Sequence, residues 1–330
     1  MTDWSILRLR VAFYVPACKA SRSVMILLDY HNVIIKDCLE SRLKGEKLDA
    51  LDMTIVDFDG VIYHLATPDS KTVLHISLRW KCFNELVAYG AQEVLKREYS
   101  EYLASPENGF DTTLVIDLEK VPADEETRTE LIQKISLLKR NLLAAPFERA
   151  FAEQEQFEDE SKPNPKSELM AVHYREEEAI YVKSNSDRVT VFFTTKFKDE
   201  TDKVFGKVFL QEFVDARRRP ALQNAPQVLY ATREPPMELR DLNLQPDEDM
   251  SYVTFVLFPR HFNREVREET ISRVQIFRDY LHYHIKCSKA YMHTRMRARV
   301  SDFLRVLNRA KPEIAPAEKR TASGRTFRRN

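Results

Sequence analysis

Two carboxylates two residues apart, Asp57 and Asp59, are the pair in this chain best placed to do chemistry. They close the apolar run of residues 53–65 (MTIVDFDGVIYHL) and are followed by Gly60. Paired acids at a strand end can share nucleophilic and acid–base work and hold a divalent cation. A plainer reading uses the same residues. Residues 56–61 form a hairpin pattern whose turn is Asp59-Gly60, which makes Asp57 a solvent-facing strand residue and Asp59 a turn former. Other constellations are weaker. His31, His64, His75, His173, His261, His282, His284 and His293 include no HExxH, and His282 and His284 face different ways on a helix. His75 and His173 sit within strand-like runs and read as structural. No GxSxG elbow occurs, and none of the six glycines belongs to a dinucleotide or phosphate-loop motif.

Residues 53–65 resemble the first motif of haloacid dehalogenase-like phosphatases, in which an apolar strand delivers two aspartates. The resemblance implies Asp57 as attacking carboxylate and Asp59 as general acid, both near magnesium. That chemistry also needs a cation to neutralise phosphate and a second acidic pair at a strand end. Asp247 and Asp249 precede the strand expected over residues 252–258 instead of following one, and no glycine stands beside them. The family further needs a parallel sheet. The hairpin reading is preferred: no enzyme is expected, and no catalytic, cofactor or metal residue is assigned. A magnesium phosphatase using Asp57 and Asp59 is kept as an alternative.

The elements around this hairpin form a pattern that occurs twice. A helix-like run opens at residues 25–36, and strands follow at 53–57, 61–65 and 73–80. A helical stretch covers 81–103, a strand 112–118, and a helix about 124–157, which Asp124 caps and Pro146 bends. Residues 158–168 (EDESKPNPKSE) read as a linker. The series then restarts with strands at 170–174, 179–183 and 189–197, a helix at 203–217, strands near 227–231 and 252–258, and a closing helix. The expected fold is α+β: a duplicated two-layer unit with antiparallel sheets packed by helices, over residues 25–157 and 169–310, plus a very long C-terminal helix.

That last helix is the most distinctive element. No glycine or proline lies between Pro259 and Pro312. Thr270, Val274, Phe277, Leu281, Ile285, Ser288, Met292, Met296, Val300, Phe303 and Leu307 follow one another at gaps of three or four. A helix over about 264–309 spans roughly 65–70 Å, too long for one compact core to cover, so a second chain is expected along the stripe. Arg278, His282, Lys286, Lys289, His293 and Arg297 make a basic stripe about 100° round from it. Residues 278–330 carry fourteen basic and four acidic side chains in a chain of net charge zero. The helix therefore also suits an anionic partner.

Composition limits the remaining classes. The 330 residues, 43% hydrophobic and 31% charged, suit a soluble protein of two domains with extensions. Nothing approaches eighteen consecutive apolar residues, so no membrane span is expected. Cys18, Cys38, Cys82 and Cys287 show neither metal-ligand spacing nor a disulfide framework and fit a reducing compartment. Residues 1–24 mix Trp4, Phe13 and Tyr14 with Arg8, Arg10, Lys19 and Arg22. They read as an N-terminal extension or the product of an upstream start, with a transit peptide as the other possibility. Residues 311–330 form a basic tail.

Residues 252–260 (YVTFVLFPR) and 277–307 (FRDYLHYHIKCSKAYMHTRMRARVSDFLRVL) closely resemble subunit 2, the 34-kilodalton subunit, of actin-related protein 2/3 complexes. Further matches are DFDGVIYH at 57–64, LKRN at 138–141, DRVTV at 187–191, GKVFLQEF at 206–213, APQVL at 225–229 and REPP at 233–236. The similarity runs from residue 25 to about 309, with an echo at 324–327. The family has nothing like residues 1–24, and its DFDG segment carries no phosphatase activity.

The resemblance implies a non-catalytic scaffold without cofactor in a seven-member assembly that nucleates branched actin filaments. The long helix would pair with a helix of subunit 4, forming the core between the two actin-related subunits, and part of that core would face the mother filament. On this sequence Phe277, Leu281, Ile285, Met292, Met296, Phe303 and Leu307 become the partner-helix interface. Lys286, Lys289, Arg295, Arg297, Arg299, Arg305 and Arg309 become candidates for actin-filament contact. Charge reversal at Arg297 plus Arg299 is expected to spare assembly and weaken filament binding. The implied location is the cytoplasmic actin cytoskeleton, in actin patches and cell projections, with no nucleic-acid partner. A stand-alone basic-helix binder of phosphoinositide or nucleic acid is the other alternative.

Overall fold

The computed structural model describes residues 28–44, 48–158, 167–218, 220–242, 244–245, 247–311, 319–320 and 326–327. The extension expected at 1–24, most of the linker at 158–168 and most of the basic tail lie outside these residues. The chain divides into two units, one ending at His282 and the other beginning at Tyr283.

Both large sheets belong to the first unit. Strands β1 (Asp52–Val56), β2 (Ile62–Ala66), β3 (Val73–Arg79), β4 (Leu103–Ala104) and β5 (Thr112–Asp117) form an antiparallel sheet in the order β1-β2-β3-β5-β4. Strands β6 (Met170–Val172), β7 (Ile180–Ser184), β8 (Val189–Lys196), β9 (Gln227–Arg233) and β10 (Asp247–Leu257) form a second, ordered β6-β7-β8-β10-β9. The order is the same in both, as the repeated pattern requires, and the architecture is α+β. β10 is longer than expected, so Asp247 and Asp249 lie within it rather than before it.

The helices depart from expectation where local chemistry overrides periodicity. Helix α1 runs over Val33–Leu43, because the Asn32 side chain accepts the Ile35 amide and starts it there; of the helix expected over 25–36, residues 28–32 are not helical and 25–27 lie outside the described residues. The stretch 81–103 divides into α2 (Phe83–Ala88), α3 (Ala91–Tyr99) and β4, because Gly90 takes φ +106° between the helices. Asp124 caps α4 (Glu125–Ser136) through the Thr127 amide, as its sequence position suggests. The break follows at Leu137 instead of Pro146, which α5 (Leu138–Glu158) carries in its interior. The closing helix is likewise divided, at Ile276, into α7 (Arg267–Gln275) and α8 (Phe277–Ala310). Helix α6 (Glu200–Ala216) is capped by Asp199.

Helix α5 does not stay with its own sheet. It packs against β7, β8 and α7, so the two halves share a core. Phe151 of α5 stacks on Phe262 with ring centroids 4.3 Å apart. Phe193 of β8, Phe255 of β10 and Phe277 of α8 form a second aromatic group, with Phe277 lying 4.8 Å from Phe255 and 5.9 Å from Phe193. Within the second unit, beyond the part of α8 it contains, Lys319–Arg320 and Thr326–Phe327 pair antiparallel.

Candidate partner-binding surface

The Asp57-Phe58-Asp59-Gly60 turn is a hairpin, as its sequence suggests, but its acids do not face water. Asp57 Oδ1 accepts the amides of Asp59 and Val61, both at 2.9 Å, and Gly60 takes φ +72°. The two Oδ2 oxygens meet Lys139 of α5, whose Nζ lies 2.6 Å from Asp57 Oδ2 and 2.5 Å from Asp59 Oδ2, while Asp59 Oδ1 is buried without a hydrogen bond among the described residues. Asp57 is thus a turn-capping residue in an ion pair, and Asp59 keeps only 10% of its side-chain surface exposed. Burial opposes the charge on Lys139, but Asp59 and Asp57 outweigh it and hold its pKa above the ordinary lysine value.

The cluster continues into the second half of the chain. Arg175 donates to the Phe58 carbonyl and lies 3.8 Å from Asp59 Oδ1. It also lies 3.3 Å from Glu178, which receives both arms of the Arg278 fork at 2.8 and 3.2 Å. Asp279 completes the group 3.5 Å from Arg278; burial and the nearby Asp59 charge raise its pKa. Next to Lys139, the Arg140 guanidinium bonds Ser272 Oγ and the Glu268 carbonyl of α7, while Asn141 bonds the Tyr99 hydroxyl. The LKRN segment is therefore a joint, with each polar residue securing a different element. The antiparallel sheet and these pairings do not fit a phosphatase: Asp57 and Asp59 are occupied in holding the turn, and Asp247 and Asp249 pair with Lys196 and Lys203 at the other sheet.

His64, His261 and His282 also have structural surroundings. His64 lies between Glu107, 2.9 Å from Nδ1, and Asp52, 3.1 Å from Nε2. The Glu107 hydrogen bond, opposed by burial, raises its pKa. Burial lowers His261 and His282 to about 4, and His282 Nε2 is buried without a hydrogen-bond partner among the described residues.

Helix α8 changes character along its length. Phe277, Leu281 and Ile285 are 6%, 2% and 0% exposed, whereas Met292, Met296, Val300, Phe303 and Leu307 are 48%, 61%, 57%, 63% and 42% exposed. The first three residues expected at a partner interface are thus buried in the chain itself, and the other four expected there are not. The same periodicity serves both, because a helix face repeats every 3.6 residues whatever covers it. Every residue from 291 to 311 is exposed. Tyr291, Leu304 and Val306 widen the apolar arc, a signal visible only when the width of the face is counted as well as its repeat.

The basic stripe divides similarly. Arg278 is spent on Glu178, and His282 is half-buried with its Nε2 turned inward and its pKa lowered to about 4, so neither is free to serve a partner as a charge. Lys286, Arg295, Arg297, Arg299, Arg305 and Arg309 are exposed, and Lys289 is half-buried. Arg295 lies over the Tyr291 ring at 5.7 Å, and Arg305 reaches Asp302 at 3.9 Å. At about 100° per residue, Arg297, Arg305 and Arg309 lie 100° or more from the centre of the stripe, Arg297 beside Leu304 and Arg309 in line with Tyr291 at the edges of the wider arc, but Arg299 lies within it. Arg299 therefore lies about 160° round the helix from Arg297, with which it was expected to act. No helix of the described residues is long and apolar enough to cross a membrane.

Comparison with known proteins agrees over nearly the whole length. The family described as "Arp2/3 complex, 34 kD subunit p34-Arc" matches residues 76–314. Actin-related protein 2/3 complex subunit 2 of Schizosaccharomyces pombe is 51% identical over 315 residues, covering 92% of this chain and 99% of the relative. The protein of the same name from Dictyostelium discoideum is 40% identical over 309 residues, 93% of this chain and all of the relative. With the antiparallel repeat and the long exposed helix, these matches establish that the chain belongs to the family of the 34-kilodalton subunit of the actin-related protein 2/3 complex.

Proposed function

We infer that this chain serves as the non-catalytic 34-kilodalton subunit of an actin-nucleating, actin-related protein 2/3 complex, and that α8 holds it there. The observation that carries the second part is the exposed run 291–311 with Met292, Met296, Val300, Phe303 and Leu307 on one face. Full burial of such side chains is worth about 1.5–3 kcal/mol each. Association itself costs about 4–15 kcal/mol, so the stripe makes an interface within a larger assembly rather than a sufficient one alone. A helix of subunit 4 is its occupant, and the resulting pair lies between the two actin-related subunits.

The basic residues turned from the stripe, Arg297, Arg305 and Arg309, contact the side of an acidic actin filament, with Lys286, Lys289 and Arg295 towards the buried end of α8. Exposed charges of this kind govern orientation, association rate and salt dependence more than affinity. The chain works in the cytoplasmic actin cytoskeleton, in actin patches and cell projections. Replacing Phe303 and Leu307 together by alanine tests the reading: the tagged chain is purified from its own cells and its native mass measured. Loss of the large assembly is expected. Recovery of the intact complex with both alanines in place would overturn the role given to α8.

A further inference from the structure

Arg299 occupies the apolar stripe itself. Counting round α8 from Met292 at about 100° per residue, Phe303 falls near 20°, Met296 near 40°, Leu307 near 60° and Val306 near −40°. Arg299 falls at about −20°, between Val306 and Met292. It is exposed and makes no ion pair or hydrogen bond with any described residue, whereas Arg295 is stacked on Tyr291 and Arg305 pairs with Asp302. Lengthwise it stands at the middle, seven residues after Met292 and eight before Leu307.

Any surface that covers the stripe must desolvate this guanidinium, and a buried charge without a counter-charge is costly. The acid of α8 nearest this position in a second copy, Asp302, already pairs with Arg305 of its own helix at 3.9 Å and lies about 60° round from Arg299. Packed antiparallel about the centre of the stripe, two copies bring their Arg299 side chains next to each other; packed parallel in register, Arg299 meets Arg299. Both arrangements set like charges in an apolar seam. A single polar residue at such a position is known to fix register and partner at some expense of stability.

We propose that Arg299 selects the occupant of this face: it requires a helix presenting a carboxylate midway along its own apolar seam, and it bars self-pairing of the chain. The proposal rests on reading α8 as a partner seam. That helix offers at least four turns of small and apolar side chains, matching the stretch from Met292 to Leu307, and lies nearly straight against it because the spacing slightly exceeds 3.6 residues.

Three variants of the full chain test this: Arg299→Leu, Arg299→Glu and Phe303→Glu. Both sites are exposed, so the fold of the first unit does not depend on them, and thermal unfolding of each free chain verifies that. Sedimentation of the free chain reads self-pairing; co-expression with the other subunits reads uptake into the complex. Arg299→Leu is expected to sediment as a dimer at concentrations where the unaltered chain is a monomer. Arg299→Glu is expected to enter the complex at least tenfold less than the unaltered chain, with recovery when one acid of the partner helix is changed to lysine. Normal uptake of Arg299→Glu, or a monomeric Arg299→Leu, overturns the selection by Arg299 while blocked uptake of Phe303→Glu leaves the seam standing. Normal uptake of Phe303→Glu removes the seam, and the proposal with it.

Discussion

Lys139 Nζ stands 2.5 Å from Asp59 and 2.6 Å from Asp57, so one ammonium from α5 closes a turn eighty residues earlier in the chain. Both acids keep less than a fifth of their side-chain surface, and Arg175 approaches the same turn from the second half. Removing one member of a buried ion pair typically costs about 3–5 kcal/mol, because the other charge is left without compensation. Lys139 keeps 23% of its side-chain surface, so Lys139→Met is expected to lose about 1–3 kcal/mol in urea unfolding of the free chain, between the costs of an exposed and a buried pair. Adding Asp57→Asn and Asp59→Asn should return part of the loss. An unaltered midpoint for Lys139→Met would show that solvent screens the cluster.

Gly206 is a helical glycine with no room for a methyl group. A Cβ there would lie 2.6 Å from Cζ of Phe197, a ring 2% exposed whose centroid is 5.5 Å from that of His282. Helix propensity alone favours alanine by about 1 kcal/mol, while overpacking costs about 1–3 kcal/mol. Gly206→Ala is therefore expected to lower stability by about 1 kcal/mol. A variant more stable than the parent in the same denaturant titration would mean that Phe197 moves aside freely.

The histidines give stability opposite pH slopes. His261 and His282 are lowered to about 4 by burial, so their contribution is full above the ordinary value of about 6.5 and disappears as pH falls through about 4. His64 is raised, chiefly by its bond to Glu107, so its contribution is present below about 6.5 and is lost as pH rises through its folded value. Between pH 7 and 4, acid unfolding of the free chain is expected to show proton uptake, and His282→Gln should take up one proton fewer. Equal uptake by the two chains would mean His282 is already charged in the folded state.

Charge reversal of Arg305 and Arg309 separates filament contact from assembly. Both are exposed and directed away from the apolar stripe. Arg305→Glu with Arg309→Glu should yield complexes of normal composition. Co-sedimentation with actin filaments at low salt should weaken about tenfold, the modest end of electrostatic steering. The difference should shrink as salt is raised. Normal filament binding by the double variant would assign the acidic surface to other residues.

Much of this architecture was legible in the sequence because it rests on local chemistry. The Asp59-Gly60 turn, the Asp124 cap and the β-branched runs of β5, β8 and β10 each announce themselves within a few residues. What was hidden depends on distant pairing. Nothing near residue 57 indicates that Lys139 will neutralise it, and nothing in LKRN says that Lys139, Arg140 and Asn141 serve three separate elements. The breaks at Leu137 and Ile276 carry no glycine or proline, so no local signal marks them. In α8 the repeat of apolar residues was plain, but it continues unchanged from the buried Ile285 to the exposed Met292. The place of Arg299 on that face could have been found by counting positions round the helix for charged residues as well as apolar ones.

The uncovered end of α8 also gives the free chain a limited shelf life. From residue 291 to 311 every residue is exposed, and a helix in a protein owes most of its stability to the packing of its apolar face, so this segment frays without a partner. An orphan copy thus offers chaperones and proteases a fraying, methionine- and phenylalanine-bearing handle, which assembly both orders and hides. Copies made in excess of their partners would keep this handle exposed until they are assembled.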